Sequence, residues 1–259
     1  MAARLGFWSG KRYYLNKMTL ADLVLAYVQY YAIAVYIALG IVSAAVGVKY
    51  ATALGPNIIA VISAVLIYPL IWYIVHRWIL HSRALYKSPL TAKVWKRIHY
   101  DHHQDPYDLS VLFGALYTTL PTIFLATASI GWLLDGIGGA ASAFAGGLFT
   151  TCFYEFFHCV QHLSYKPKYK WLRRMKRRHL AHHFQDESGN FGITNFFWDR
   201  LFGTFYEVED RPNKSSTIYN LGYTAAEAET YPWVARLSGG LGPDTPRERR
   251  RVSGLSGRD

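Results

Sequence analysis

RRMKRRHLAHHFQDESGNFGITNFFWDRLFGT, residues 173–204, carries His179, His182 and His183 at positions i, i+3 and i+4. On a helix these positions share one face, so three imidazoles can converge on a point. Imidazole nitrogen is a borderline ligand suited to iron, zinc, copper or nickel, and rings from one helix face lose little chain entropy on binding. Outward from this stretch the rest of the 10 histidines repeat the pattern: His76 with His81, His99 with His102 and His103, and His158 with His162. None is left over. Unrelated core or surface histidines would leave strays, so the ten read as one constellation.

Apolar runs separate the clusters: Thr19 to Val48, Asn57 to Leu80, Val111 to Leu134 and Ala140 to Leu163. A helix crossing a bilayer core needs about 20 such residues. Charged residues make up 17% of the chain and hydrophobic ones 51%, against about 25% charged in a soluble domain. The links Lys49 to Pro56 and Asp135 to Gly139 are short, so the runs they join are antiparallel. Pro121 can kink the third run, and the small residues of the fourth, among them Gly146 and Gly147, permit close helix packing. Asp22 opens the first run, where a helix N-terminus accepts a carboxylate. Cys152 and Cys159 read as small packing residues. Residues 1–18, basic and aromatic without a cleavable signal pattern, read as an interfacial arm. The expected fold is an all-α integral membrane protein. Four transmembrane helices carry a cytoplasmic helical cap with a histidine-rich dimetal site, residues 1–236 form one domain, and 237–259 form a disordered basic tail.

The formal charge of +11 fits either nucleic acid or an anionic membrane surface. Position decides. Every Lys and Arg except Lys49 and Arg77 precedes the first run, lies in 82–110 or follows residue 163. These basic segments flank the spans as headgroup contacts do, and no nucleic-acid-binding motif accompanies them. By the positive-inside rule both termini and both long polar segments are cytoplasmic, which places all four histidine clusters on one side.

Spacing also bears on metal number. His158 and His162, four apart, face one way. His76 and His81, five apart, diverge by about 140° on an ideal helix, so they serve one metal only if the helix end unwinds, and otherwise serve two. The trios at 99, 102, 103 and 179, 182, 183 share the spacing HxxHH, and their adjacent rings diverge by about 100°. Ten ligands also exceed the four to six that one first-row ion takes, so two ions are expected.

The ordered set HRWILH, HYDHH, HCVQH and HLAHH, spread over membrane runs, resembles the fatty acid hydroxylase and sterol desaturase superfamily of membrane non-haem di-iron oxygenases. The trailing GNFGITNFFWDRLFGT is most similar to the fatty acid 2-hydroxylase branch; the likeness covers roughly residues 65–210. It implies that His76, His81, His99, His102, His103, His158, His162, His179, His182 and His183 bind two iron ions, with zinc as a substitute in purified protein. It further implies O2 as co-substrate and hydroxylation of an unactivated C–H bond in a membrane lipid. Eukaryotic members of the branch carry a fused cytochrome b5 domain that finds no counterpart here, so electrons are expected from a separate donor such as cytochrome b5 or ferredoxin. Ligand rings need acceptors that fix their tautomers; Glu155 is the first candidate, with Asp101 and Gln161 weaker. Trp198, Asp199, Phe202 and Gly203 are expected to build a closing turn, with Asn190 and Asn195 in turns. The competing readings are a sterol or carotenoid oxidase or desaturase, a metal transporter, and a non-catalytic zinc-binding relative. The expected location leans to a bacterial inner membrane, with endoplasmic reticulum as the alternative.

Overall fold

A computed structural model describes residues 13–241; the expected arm before Tyr13 and the tail from 242 onward lie outside these residues. Among the described residues the protein is helical throughout, with no strand beyond a single bridge between Tyr14 and Asp108. Three helices are long and apolar enough to cross a membrane: Tyr31–Tyr50, Leu54–Leu80 and Leu116–His162.

The first apolar run is not one helix. It divides into α1 (Leu20–Val28) and α2 (Tyr31–Tyr50), separated at Gln29 and the extended Tyr30. Tertiary packing explains the break. Tyr30 stacks on Phe113 with ring centroids 4.1 Å apart, and the Tyr27 hydroxyl donates to the Cys152 carbonyl. Asp22 does what its position suggests: it forms a capping box with Thr19 at the start of α1.

After α3 (Leu54–Ile74) a π-helical turn, Val75–Leu80, leads into the short helices α4 (Ala84–Lys87) and α5 (Pro89–Trp95). A second π-turn, Lys96–Tyr100, precedes α6 (Asp101–Gln104) and α7 (Leu109–Leu112).

The third and fourth runs form one 47-residue element, α8 (Leu116–His162), broken at Asp135 and Gly136, where Gly136 has φ +53°. The arms fold back on each other. Phe124 meets Phe144 edge-on, and a Cβ on Gly131 would lie 2.1 Å from the Gly139 carbonyl oxygen. Only paired glycines allow backbones this close. Asp135 fastens the bend: its buried carboxylate accepts from the Thr52 N–H and hydroxyl and from Asn57 Nδ2, and Ser142 donates to Asn57 Oδ1 at 2.9 Å. The α2–α3 link and the α8 bend are thereby joined.

The remainder covers the histidine end of the bundle. It comprises α9 (Lys170–Phe184), α10 (Phe197–Leu201), α11 (Ala225–Thr230) and α12 (Trp233–Ser238). An aromatic core of Tyr86, Trp95, Tyr100 and Tyr223 ties α4 and α5 to this C-terminal part. Trp95 Nε1 donates to the Leu80 carbonyl at 2.8 Å, fixing that core to the end of the α3 segment. Leu237 and Ser238, the first residues of the expected tail, close α12.

Removing the Asp135 carboxylate leaves the Thr52 and Asn57 donors unpaired. Asp135→Ala is expected to lower the melting temperature, and Asp135→Asn clearly less, measured as thermal unfolding in detergent.

Candidate metal centre

Helix geometry delivers the rings. Between Val75 and Leu80 the chain widens to i+5 hydrogen bonding, and the His81 N–H donates to the His76 carbonyl at 3.2 Å. Residues five apart then lie nearly above one another, which brings the two rings to 5.0 Å between centroids. The sequence spacing alone left one shared site dependent on unwinding of the helix end, and the π-turn is that local underwinding. The second π-turn carries His99.

All ten histidines assemble into two groups of five. His76, His81, His99, His103 and His182 form one, and His102, His158, His162, His179 and His183 the other; within each group the ring nitrogens lie within 4.8 Å of one another. Rings on opposite sides of a single ion approach this span, at about 2.0–2.1 Å per metal–nitrogen bond. Each HxxHH trio divides between the groups, as the divergence of adjacent rings requires. His99 and His103 go to the first group and His102 to the second, whereas His179 and His183 go to the second and His182 to the first.

The donor set fits metal ions by an independent observation. His76, His103 and His182 donate through Nδ1 to the carbonyls of Phe191, Ile218 and Gly189 at 2.6, 3.1 and 2.7 Å. Their Nε2 atoms are left buried and unpartnered, as are both nitrogens of His183. Elsewhere Nε2 atoms face each other: His99 with His81 at 2.9 Å, His102 with His158 at 3.1 Å, and His179 with His162 at 2.9 Å. Two imidazole nitrogens at such a distance share a proton or a cation.

Burial, and after it the neighbouring imidazoles, holds His99, His102, His179 and His183 well below the usual histidine range, so these rings are neutral donors. Burial likewise brings His103 down to about 3 against the pull of its Ile218 hydrogen bond.

The acceptors that orient these rings are main-chain carbonyls, and sequence reading missed them. Phe191 and Gly189 belong to the GNFGITNFFWDRLFGT stretch, whose shape Asp199 sets. Its buried carboxylate accepts from the Phe191 and Gly192 N–H groups at 2.8 and 2.9 Å and from the Thr204 hydroxyl at 2.9 Å. Gly203, at φ +68°, completes the turn. Asn190, at φ +56°, clamps Tyr206 through both ends of its amide, and Asn195 caps the Phe197 N–H. Of the carboxylate and amide candidates, Asp101 pairs with Lys96 at 2.6 Å and Gln161 donates to the Ile193 carbonyl at 2.7 Å. Glu155 lines the cavity, as does His158.

The RRMKRR approach is partly consumed inside the protein. Lys176 donates to the Leu163 and Tyr165 carbonyls just beyond α8, and Arg177 and Arg178 pair with Glu207 at 2.7 and 2.5 Å. These contacts hold α9 over the bundle.

Against the two groups lies an apolar cavity of about 430 Å³, its wall including His76 and His99 from one and His102, His158 and His183 from the other.

A family model described as Fatty acid hydroxylase matches residues 61–204. Mouse fatty acid 2-hydroxylase is 30% identical over 141 residues, 54% of this chain and 37% of the mouse protein. The Saccharomyces cerevisiae ceramide very long chain fatty acid hydroxylase SCS7 is 31% identical over 148 residues, 54% of this chain and 36% of the yeast protein. The chain therefore spans well under half the length of these curated relatives. A solved structure of full-length Scs7p, in which only the hydroxylase domain is visible, matches with a TM-score of 0.56 at 25% identity, over 78% of this chain and 71% of that one.

Two outcomes are expected. Asp199→Ala frees Phe191 and so the His76 ring, lowering metal affinity about 10–100-fold in a chelator competition. A histidine held below its unfolded value near 6.5 makes the folded state bind fewer protons than the unfolded one. The stability of the metal-free protein is therefore full above that value and falls with pH below it, as melting curves from pH 8 to about 5 will read.

Proposed function

The chain belongs to the fatty acid hydroxylase family, and from that footing we propose that it is a membrane di-iron oxygenase hydroxylating a lipid acyl chain at the carbon next to its carbonyl. The co-substrate is O2, and electrons come from a separate donor such as cytochrome b5 or ferredoxin. One observation carries the reading: two groups of five buried imidazoles open onto one apolar cavity. Bound by these ten histidines, two iron ions would supply the activation of O2 with those electrons.

The chain's own residues do the rest. The Nδ1–H bonds to the Phe191, Ile218 and Gly189 carbonyls commit His76, His103 and His182 to offering Nε2 inward. Ile71, Val75, Ile98 and Leu112 give the cavity an apolar wall that excludes water and accepts a hydrocarbon chain. Rings of both groups line that wall, so one acyl carbon can lie against both. The Glu155 carboxyl lies on the same wall, three residues before His158, where it would hold a proton beside the cavity.

In the bilayer, α8 counts as two crossings, which with α2 and the α3 segment makes four. The basic segments then share the cytoplasmic face with the histidines and both termini.

Purified protein loaded with iron is expected to hold about two ions per chain, with His102→Ala and His103→Ala each lowering the content. Lipid extracts from an expressing host should contain a new 2-hydroxyacyl lipid that His183→Ala abolishes. An altered sterol or carotenoid pool in its place would overturn the assignment.

A further inference from the structure

Both histidine groups connect to the same stretch of the cap, residues 214–219. His103, of the first group, donates through Nδ1 to the Ile218 carbonyl at 3.1 Å, and the adjacent Gln104 side chain donates to the Tyr219 carbonyl. The peptide that joins Ile218 to Tyr219 is thus one hydrogen bond away from a ring of that group. The second group is reached through aromatic rings. Tyr219 lies 6.3 Å from Phe184, Phe184 stacks on Tyr107 at 5.6 Å, and Tyr107 meets His162 edge-on at 6.3 Å between centroids. Phe184 also lies 6.5 Å from His183. His162 and His183 both belong to the second group.

This chain of rings ends at the surface, since Tyr107, Phe184 and Tyr219 are each half-buried. The surface there faces water. Between Phe202 and Leu237 no large apolar side chain is exposed among the described residues, whereas Asn213, Lys214 and Ser216 are. Lys214 covers Tyr219: its Nζ donates to the hydroxyl at 2.8 Å and lies 4.4 Å from the ring centroid. The charges around it are engaged elsewhere. Arg211 pairs with Asp186 at 2.7 Å, and the buried Glu187 accepts from the Thr217 hydroxyl. Lys214 is left to present its charge outward, on a chain of formal charge +11, so the complementary partner is acidic.

We infer that the face formed by Lys214 and Tyr219 is the docking surface and electron entry point for a soluble, acidic one-electron carrier protein. The need for electrons rests on the hydroxylase reading; the shared connection of the two groups does not. Hydroxylating one C–H bond with O2 consumes two electrons and two protons: one oxygen atom enters the C–H bond and the other leaves as water. The carrier is therefore oxidised by one electron twice per turnover. Electron transfer weakens steeply across open gaps, and Tyr219 offers a hydrogen-bonded route to one group and packed rings to the other. Redox encounters use small interfaces, and a patch centred on one lysine and one tyrosine suits them.

The full chain in phosphatidylcholine nanodiscs, loaded with iron, tests the entry. A ruthenium polypyridyl photoreductant, with a sacrificial amine in solution, is attached at Lys214→Cys or, on α11, at Glu229→Cys; the native Cys152 and Cys159 lie within α8. Flash-induced loss of ferric absorbance is expected to be several-fold faster from position 214, and Phe184→Leu, which breaks the chain of rings, should slow it. Melting curves and iron content identify any variant that misfolds or loses metal. Equal rates from the two positions, or no effect of Phe184→Leu, overturn the entry. Docking is read separately on zinc-loaded protein with a benzophenone at Asn213→Cys. The soluble haem domain of cytochrome b5 or a ferredoxin should be captured there, and Lys214→Glu should abolish the capture. Capture of neither carrier, or of phosphatidylcholine in their place, overturns the docking surface. Fast reduction and capture without any hydroxylated lipid sustain this face and defeat the hydroxylase reading.

Discussion

A buried polar atom without a partner costs about 1–3 kcal/mol, and this protein concentrates such atoms. The Nε2 atoms of His76, His103 and His182, and both nitrogens of His183, are sealed from water without a hydrogen bond. A fold tolerates this only where something outside the chain completes the set, and the grouping of the rings in two fives gives that completion a place. Much of the architecture follows from gathering and covering these nitrogens. The spans bring four rings to their ends, the short helices between α3 and α8 bring three, and α9 brings three from above.

Two helical irregularities make the gathering work. Ideal α-helices would have turned His81 away from His76; the π-turn at Val75–Leu80 removes that divergence, and a second one carries His99. Irregular turns of this sort recur at functional sites because they re-aim a side chain without ending the helix. The segment after α9 then works by its backbone. Asp199 holds the Phe191–Gly192 amides, and the carbonyls of Gly189 and Phe191 hold the rings.

Much of this was legible in the sequence because it depends on periodicity. The apolar runs, the complete clustering of the histidines and the 100° step between adjacent residues carried the helical class and the expectation of two ions; which ring of each HxxHH trio joins which group is given only by the assembled fold. What stayed hidden depends on tertiary contact. No local signal breaks Leu20–Tyr50 at Gln29, since aromatic packing on Phe113 does it. Nor could residue types reveal that main-chain carbonyls orient the rings, because every residue has one; only the FGITNFFWD turn, with its buried Asp199, hinted that backbone would be held there. Nor did the basic run before His179 reveal that Lys176, Arg177 and Arg178 also bond within the protein.

The divided trios have a further consequence. Because α9 and the 96–104 segment each supply rings to both groups, neither group can be ordered or loosened alone. If two ions bind as proposed, one settling in either group would fix both segments that carry ligands of the other, and a second ion would meet a site whose ordering cost had already been met. Loading of such a centre would be cooperative. Under metal shortage the population would then divide into filled and empty molecules, with few carrying a single ion.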